Sequence, residues 1–188
     1  MGRWEPDARG RMVLAALELY GERGFEQTTA LEVAQRAGVT ERTFFRYFAD
    51  KREVLFEGSK GLQEAVVHAI AAAPDQLAPF AVVGSAMERA AAYLEGNREY
   101  SRRRAAVIAA NSSLHERELL KLATLAGAVA ESLRRRGVAP LPASLAAEAG
   151  VTVFKVGFDA WISDEATGDF TECIRVALDQ LKGLTAGA

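Results

Sequence analysis

Between Thr28 and Lys51 the sequence reads TTALEVAQRAGVTERTFFRYFADK, and this stretch restricts the fold more than any other. Thr29, with Glu32 three residues on, has the form of a capping box that opens a helix. Leu31, Val33, Ala34 and Ala37 supply that helix with apolar positions at helical spacing. Gly38 stands where the chain must turn sharply, a place that favours a residue tolerating positive φ. Thr40 caps the next helix, which is short, from Glu41 to about Phe48. Two short helices around a tight turn, the second basic and aromatic, form a helix-turn-helix, whose second helix enters the DNA major groove.

The chemistry of that second helix suits the role. Arg42 has the donors for the O6 and N7 of guanine, and Glu41 can accept from N4 of cytosine. Thr43 and Phe45 suit a thymine methyl or the backbone, and Tyr47 and Lys51, further along, suit phosphates. Lys51 lies at an expected helix start, where backbone N–H groups favour an anion. Phe44 and Phe48, four apart, should face inward and hold the helix to Val13, Leu17 and Val33. The whole chain has a net charge of −2. Residues 36–52, however, hold five basic side chains (Arg36, Arg42, Arg46, Lys51, Arg52) against two acidic ones (Glu41, Asp50), a net of +3. The charge is polarised in the direction DNA binding needs.

Outside this stretch the pattern is helical throughout. Residues 1–6, with Arg3 and Trp4, read as a short arm. A first helix runs from about Asp7 to Arg23 on the stripe Val13, Ala16, Leu17 and Tyr20, and Gly24 ends it. A fourth helix is expected from Asp50, with Glu53 reaching back to its cap, to about Ala72 before Pro74. At roughly 1.5 Å per residue it would span on the order of 30 Å and join two bodies rigidly. Five more helices are expected at roughly 76–95, 98–110, 114–136, 142–163 and 167–184. Breaks fall at Gly96-Asn97, Asn111-Ser112-Ser113, Gly137-Val138-Ala139-Pro140 and Thr167-Gly168-Asp169. The segment VTVFKVGF (151–158) is rich in β-branched residues, yet Val151, Phe154, Phe158 and Trp161 share one helical stripe and no partner strand is available. An all-α fold follows, divided as a DNA-binding domain over 1–50 and a larger helical domain over 51–188.

GFEQTTALEVAQRAGVTERTFFRYFADKREVLF resembles the DNA-binding domain of the TetR family of bacterial regulators. The similarity lies in the threonine pair, Ala34…Ala37-Gly38-Val39, the Thr43-Phe44-Phe45…Tyr47-Phe48 run and Lys51, and it covers about residues 9–56. The resemblance implies a three-helix DNA-binding domain followed by a larger ligand-binding and dimerisation domain. It further implies a homodimeric repressor on a palindromic double-stranded DNA operator, released when a small hydrophobic effector enters the C-terminal core. The DNA-facing set is then Thr29, Thr40, Glu41, Arg42, Thr43, Phe45, Arg46, Tyr47 and Lys51. Leu31 stands where the family often has a polar residue, and Phe45 where tyrosine is common. No DNA contact is therefore carried onto Leu31, nor a hydroxyl-to-phosphate bond onto Phe45.

The C-terminal body offers an arginine cluster, Arg98 and Arg102-Arg103-Arg104, which reads as a solvated face or as the mouth of an anion-holding pocket. The pattern from Arg104 through Leu114-His115-Glu116-Arg117 to Leu133-Arg134-Arg135-Arg136-Gly137 resembles the acyl-CoA-like ligand-binding branch of that family, which implies a lipid-like or thioester ligand. Pocket candidates are Tyr100, Arg104, Val107, Ile108, Leu122, Leu125, Phe154 and Trp161. Because the family pairs its last two helices into a four-helix interface, Val151, Phe158, Ile162, Ile174, Leu178 and Leu181 are the dimer candidates. Which face of each helix serves which role is left open by the sequence.

Other classes fare less well. The two histidines, His68 and His115, have no metal-type partners, and no phosphate-binding glycine loop or nucleophile elbow is present, so neither an enzyme nor a cofactor is expected. The single Cys173 excludes an intrachain disulfide and reads as a packed thiol. No signal peptide or membrane span is expected, and a bacterial cytoplasm is the default location. The rival reading is a helical ligand- or partner-binding bundle whose head does not bind DNA.

Overall fold

The computed structural model describes residues 7–163, 165 and 168–186. The arm of residues 1–6 and Thr167 of the last interhelical break lie outside the described residues. Those described form helices α1 (Ala8–Arg23), α2 (Ala30–Arg36), α3 (Glu41–Tyr47), α4 (Ser59–Ala71), α5 (Pro79–Leu94), α6 (Arg98–Ala109), α7 (Ser112–Arg135), α8 (Pro140–Ile162) and α9 (Phe170–Ala186). Two 3-10 turns, Glu53–Phe56 and Glu95–Asn97, complete the set, and no strand occurs among the described residues. The fold is all-helical, as the periodicity requires, and the ambiguous 151–158 segment is the middle of α8.

One expected element is different. The fourth helix does not begin at Asp50 but at Ser59, and its 13 residues rise about 20 Å, not 30. Asp50 does cap a turn: its Oδ1 accepts from the amides of Arg52 at 2.8 Å and Glu53 at 3.2 Å. The carbonyls that would carry a helix onward are taken by distant side chains. Tyr20 donates its hydroxyl to the Lys51 carbonyl at 2.7 Å, and Arg104 donates to that of Leu55 at 2.7 Å. The Glu53 carboxylate accepts from Arg117.

The chain forms two compact units. The first holds residues 1–58 together with 103–118, and the second holds 59–102 with 119–188. This geometric division differs from the 1–50 and 51–188 split in both its boundary and the return of 103–118.

In the first unit α1, α2, α3 and the 53–56 turn surround Met12, Ala16, Leu19, Tyr20, Val33, Phe44, Phe48, Val54, Leu55 and Phe56, all buried. Phe44 and Phe48 pack 5.2 Å apart between ring centres, pointing inward as their spacing predicts. Ile108 and Leu114, from the returning segment, are buried in the same unit.

In the second unit α5 packs against α4, α8 and α9. Close approach rests on glycines: a Cβ on Gly150 would stand 2.1 Å from Val83 Cγ1, and one on Gly157 would stand 2.8 Å from Ile174 Cδ1. The joint of α8 and α9 is an aromatic cluster in which Trp161 stacks on Phe170 at 4.8 Å. Charged side chains close the helix ends around it. Glu95 Oε1 accepts from the Phe170 amide at 2.8 Å, while Arg98 and Arg102 donate to the Ser163 and Ile162 carbonyls at 2.7 and 2.9 Å. An acidic group thus meets a helix N-terminus and basic groups a C-terminus, as the helix dipole favours. Arg136 does the same for α4, donating to the carbonyls of Ile70, Ala73 and Pro74. Among the described residues α8 alone is long and apolar enough to cross a bilayer, but it is a core helix with 44% of its most apolar window buried.

Candidate nucleic-acid interface

The reading head is built by local chemistry. Thr29 Oγ1 accepts from the Glu32 amide at 3.2 Å, while Glu32 Oε2 accepts from the Thr29 amide at 2.9 Å, closing the capping box. These bonds from Thr29, the backbone one foremost, hold the Glu32 carboxyl below its ordinary range. Helix α2 ends with Gly38 at φ +69°, where the Val39 amide reaches back to the Ala34 carbonyl at 2.9 Å and the Gly38 amide to Gln35 at 3.1 Å. That pair of bonds is a Schellman motif, and only glycine enters its left-handed position without strain. Thr40 Oγ1 then accepts from the Thr43 amide at 3.2 Å and starts α3.

With Phe44 buried, the rest of α3 turns outward. Glu41, Arg42, Phe45, Arg46 and Tyr47 are exposed and Thr43 is half-buried. Phe45 keeps 51% of its surface in water and lies on the same outward face as Arg42 and Arg46. The Arg46 guanidinium lies 5.1 Å from the Tyr47 ring, which stiffens both. Thr29 and Thr40 are exposed but act through their hydroxyls as caps.

Lys51 is a correction. It does not stand at a helix start, and its ammonium is turned inward. Nζ donates to the carbonyls of Phe25 at 2.8 Å, Thr28 at 3.0 Å and Glu26 at 3.4 Å, and lies 4.2 Å from the centre of the Phe25 ring. An ammonium has three protons, and all three have partners here. Lys51 fastens the α1–α2 loop to the turn after α3 and offers nothing to phosphate in this arrangement.

The local excess of +3 is corrected in the same way. Arg36 pairs with Glu18 and Glu22, and Arg52 with Asp50. Elsewhere in the first unit Arg9 pairs with Glu57, Arg23 with Glu32, Arg104 with Glu118 and Arg117 with Glu53. Arg11 donates to the Ala37 carbonyl. Among the described residues of this unit only Arg42, Arg46 and Arg103 lack an acidic or carbonyl partner, and the first two lie on the outward face of α3. Charge available to an anion is therefore concentrated on the helix that also displays Glu41 and Phe45.

Three of the four arginines in the 98–104 cluster are committed within the chain: Arg98 and Arg102 cap α8, and Arg104 binds Leu55 and Glu118, while Arg103 is exposed. The eight pocket candidates divide between the two units. Arg104, Val107 and Ile108 belong to the first unit, and Tyr100, Leu122, Leu125, Phe154 and Trp161 to the second. Leu125, Phe154 and Trp161 are buried in the core.

A cleft of about 530 Å³ lies instead between the outer faces of α8 and α9, and none of the eight lines it. Its walls include Val156, Gly157, Cys173, Val176, Ala177, Leu181 and Leu184. Of the dimer candidates only Leu181 lines this cleft. Val151, Ile174 and Leu178 are buried in their own chain's core, and Phe158 and Ile162 are half-buried against it. The outward apolar residues are Leu141, Leu145 and Val156 on α8, with Val176 and Leu184 on α9. Their own helical spacing could have revealed a second face, but the bulkier inner stripe dominates the pattern. Burial pushes the Cys173 thiol up, which keeps it protonated. His68 and His115 are exposed.

Residues 13–57 match the family model described as bacterial regulatory proteins, tetR family, and residues 77–185 match the MftR C-terminal domain. The regulator TcmR of Streptomyces glaucescens is 38% identical over 66 residues, which make up 35% of this chain and 29% of TcmR. The match thus spans under a third of that relative. FadR of Thermus thermophilus, a TetR-family repressor solved with lauroyl-CoA, is 27% identical, with 93% of each chain covered and a TM-score of 0.54. SmeT of Stenotrophomonas maltophilia, solved with triclosan, is 18% identical over 95% of this chain and 91% of its own, with a TM-score of 0.67.

Proposed function

The chain belongs to the TetR family of bacterial transcriptional regulators, and from that membership we propose that it is a repressor binding a palindromic operator as a homodimer. The family consists of regulators, not enzymes. The observation that carries the reading is the outward face of α3, where Arg42 and Arg46 are the uncommitted cations beside Glu41, Phe45 and Tyr47. In a major groove these side chains offer a bidentate donor to guanine, an acceptor to cytosine N4 and an apolar surface to a thymine methyl. Thr40 and Thr43 lie at the same helix start, within reach of the flanking backbone.

Dimerisation would use the outer faces of α8 and α9, with Val156, Val176 and Leu184 at the seam. Exposed apolar side chains along a cleft are what a self-complementary interface covers. The effector is a small hydrophobic molecule, and the likeness to FadR of Thermus thermophilus supports a long acyl thioester. Its binding shifts the population toward a form with low operator affinity, which requires different affinities for the free and DNA-bound protein. A bacterial cytoplasmic location accompanies this role. Selection from random duplexes tests the core of the reading. A palindrome with half-sites about one helical turn apart, or a multiple of it, is expected. Recovery of no sequence would leave the bundle that does not bind DNA.

A further inference from the structure

Residues 103–118, the end of α6 and the start of α7, fold with the reading head. Polar side chains attach them, and Ile108 and Leu114 within the segment are buried. Arg104 donates from Nε to the Leu55 carbonyl at 2.7 Å and from Nη1 to Glu118 Oε1 at 3.1 Å, and its guanidinium lies 5.0 Å from the Phe56 ring. Arg117 donates to the Glu53 carboxylate. At the corner between the two helices Asn111 Nδ2 donates to Glu26 Oε1 at 3.1 Å. Both arginines therefore grip the Glu53–Phe56 turn, while Asn111 holds the α1–α2 loop.

The turn and the loop are the two pieces that Lys51 joins. Its carbonyl accepts from Tyr20, and its ammonium holds the carbonyls of Phe25, Glu26 and Thr28, directly before the Thr29 cap of α2. A continuous set of bonds runs from Arg104 and Arg117 through the turn and Lys51 to the start of the helix-turn-helix. The Arg104 and Glu53 side chains are only 19% and 20% exposed, so removing a partner leaves a partly desolvated charge uncompensated.

We propose that Arg104 and Arg117 are positioning residues for DNA recognition. They hold the 53–56 turn, and through Lys51 the start of α2, in the geometry from which α3 reads sequence. The proposal rests on the reading of α3 as the DNA-binding helix and adds to it the residues that fix its orientation. Helices α6 and α7 each continue along the chain into the second unit.

The test compares affinity for a selected duplex and a scrambled one across Arg117→Ala, Arg117→Lys and Glu53→Gln, with Arg134→Ala as a control. The Arg134 pair with Glu131 is on the exposed surface of α7. Arg117→Ala and Glu53→Gln should weaken binding to the selected duplex about tenfold, with scrambled DNA and the salt slope unchanged. Arg117→Lys should restore most of the loss, and Arg134→Ala should change nothing. In the free protein, Arg117→Ala should speed hydrogen exchange at the 53–56 amides. If that variant does not fold, Glu53→Gln and Arg117→Lys carry the comparison. Selective binding equal to the parent's, or unchanged exchange, would overturn the positioning role. So would a loss on both duplexes with a shallower salt slope, since that marks a phosphate ligand. A parent protein that selects no duplex would instead overturn the DNA-reading proposal.

Discussion

Replacing Lys51 with methionine keeps most of the aliphatic bulk but removes three donors from the carbonyls of Phe25, Glu26 and Thr28. Carbonyls left without partners in a partly buried loop cost roughly 1–3 kcal/mol, so the first unit should melt earlier. Thermal denaturation followed by circular dichroism checks this, and a melting curve equal to the parent's would contradict the staple. A phosphate ligand would behave in the opposite way, with little change in stability and a shallower dependence of DNA binding on salt. The residue type and its place in the motif were legible in the sequence, but the direction of its side chain was not. Lys51 reaches back 23 to 26 residues along the chain, and no local pattern encodes such a bond. The same holds for Arg36, Arg104 and Arg117, whose carboxylate partners lie 14 to 64 residues away.

Elements whose cause is local were read correctly for that reason. The Thr29–Glu32 box, the Gly38 reversal and the Thr40 cap each depend on bonds within five residues, and the inward aromatic pair follows from a spacing of four. The supposed helix from Asp50 failed because distant groups occupy the Lys51 and Leu55 carbonyls. The Asp50 turn itself has a pH signature. Hydrogen bonding from the Arg52 side chain, with amide bonds from Arg52 and Glu53, holds the Asp50 carboxyl below its ordinary range. A depressed carboxyl adds stability that is fully present above its unfolded value of about 3.9 and is lost as pH falls through the folded value. Asp50→Asn should therefore flatten the acid side of the stability profile, and an unchanged profile would remove Asp50 from the account. In the second unit, Gly150→Ala would place a methyl against Val83 Cγ1 and force α5 and α8 apart. A loss of about 1–3 kcal/mol is expected, readable by urea denaturation, and a neutral result would contradict the tight crossing.

For the whole molecule, the proposed dimer turns on the difference between the inner and outer faces of α8 and α9. Inner residues such as Ile174 and Leu178 are buried in their own chain, whereas Val156, Val176 and Leu184 are exposed along the cleft and form the proposed seam. Val176→Glu should convert a dimer to a monomer in sedimentation velocity without lowering helix content, and a persistent dimer would move the interface elsewhere. The most direct test of the central claim is the salt dependence of binding to a selected palindrome, set against scrambled DNA. If Arg42 and Arg46 are the cations of α3 that displace DNA counterions in each of two heads, log K should fall with log salt at a slope of roughly −4. Arg42→Ala should make that slope shallower by about 2 and relax base preference. Were all five basic residues of 36–52 free to act, the slope would approach about −9. A slope that steep, or binding no tighter than to scrambled DNA, would contradict the account.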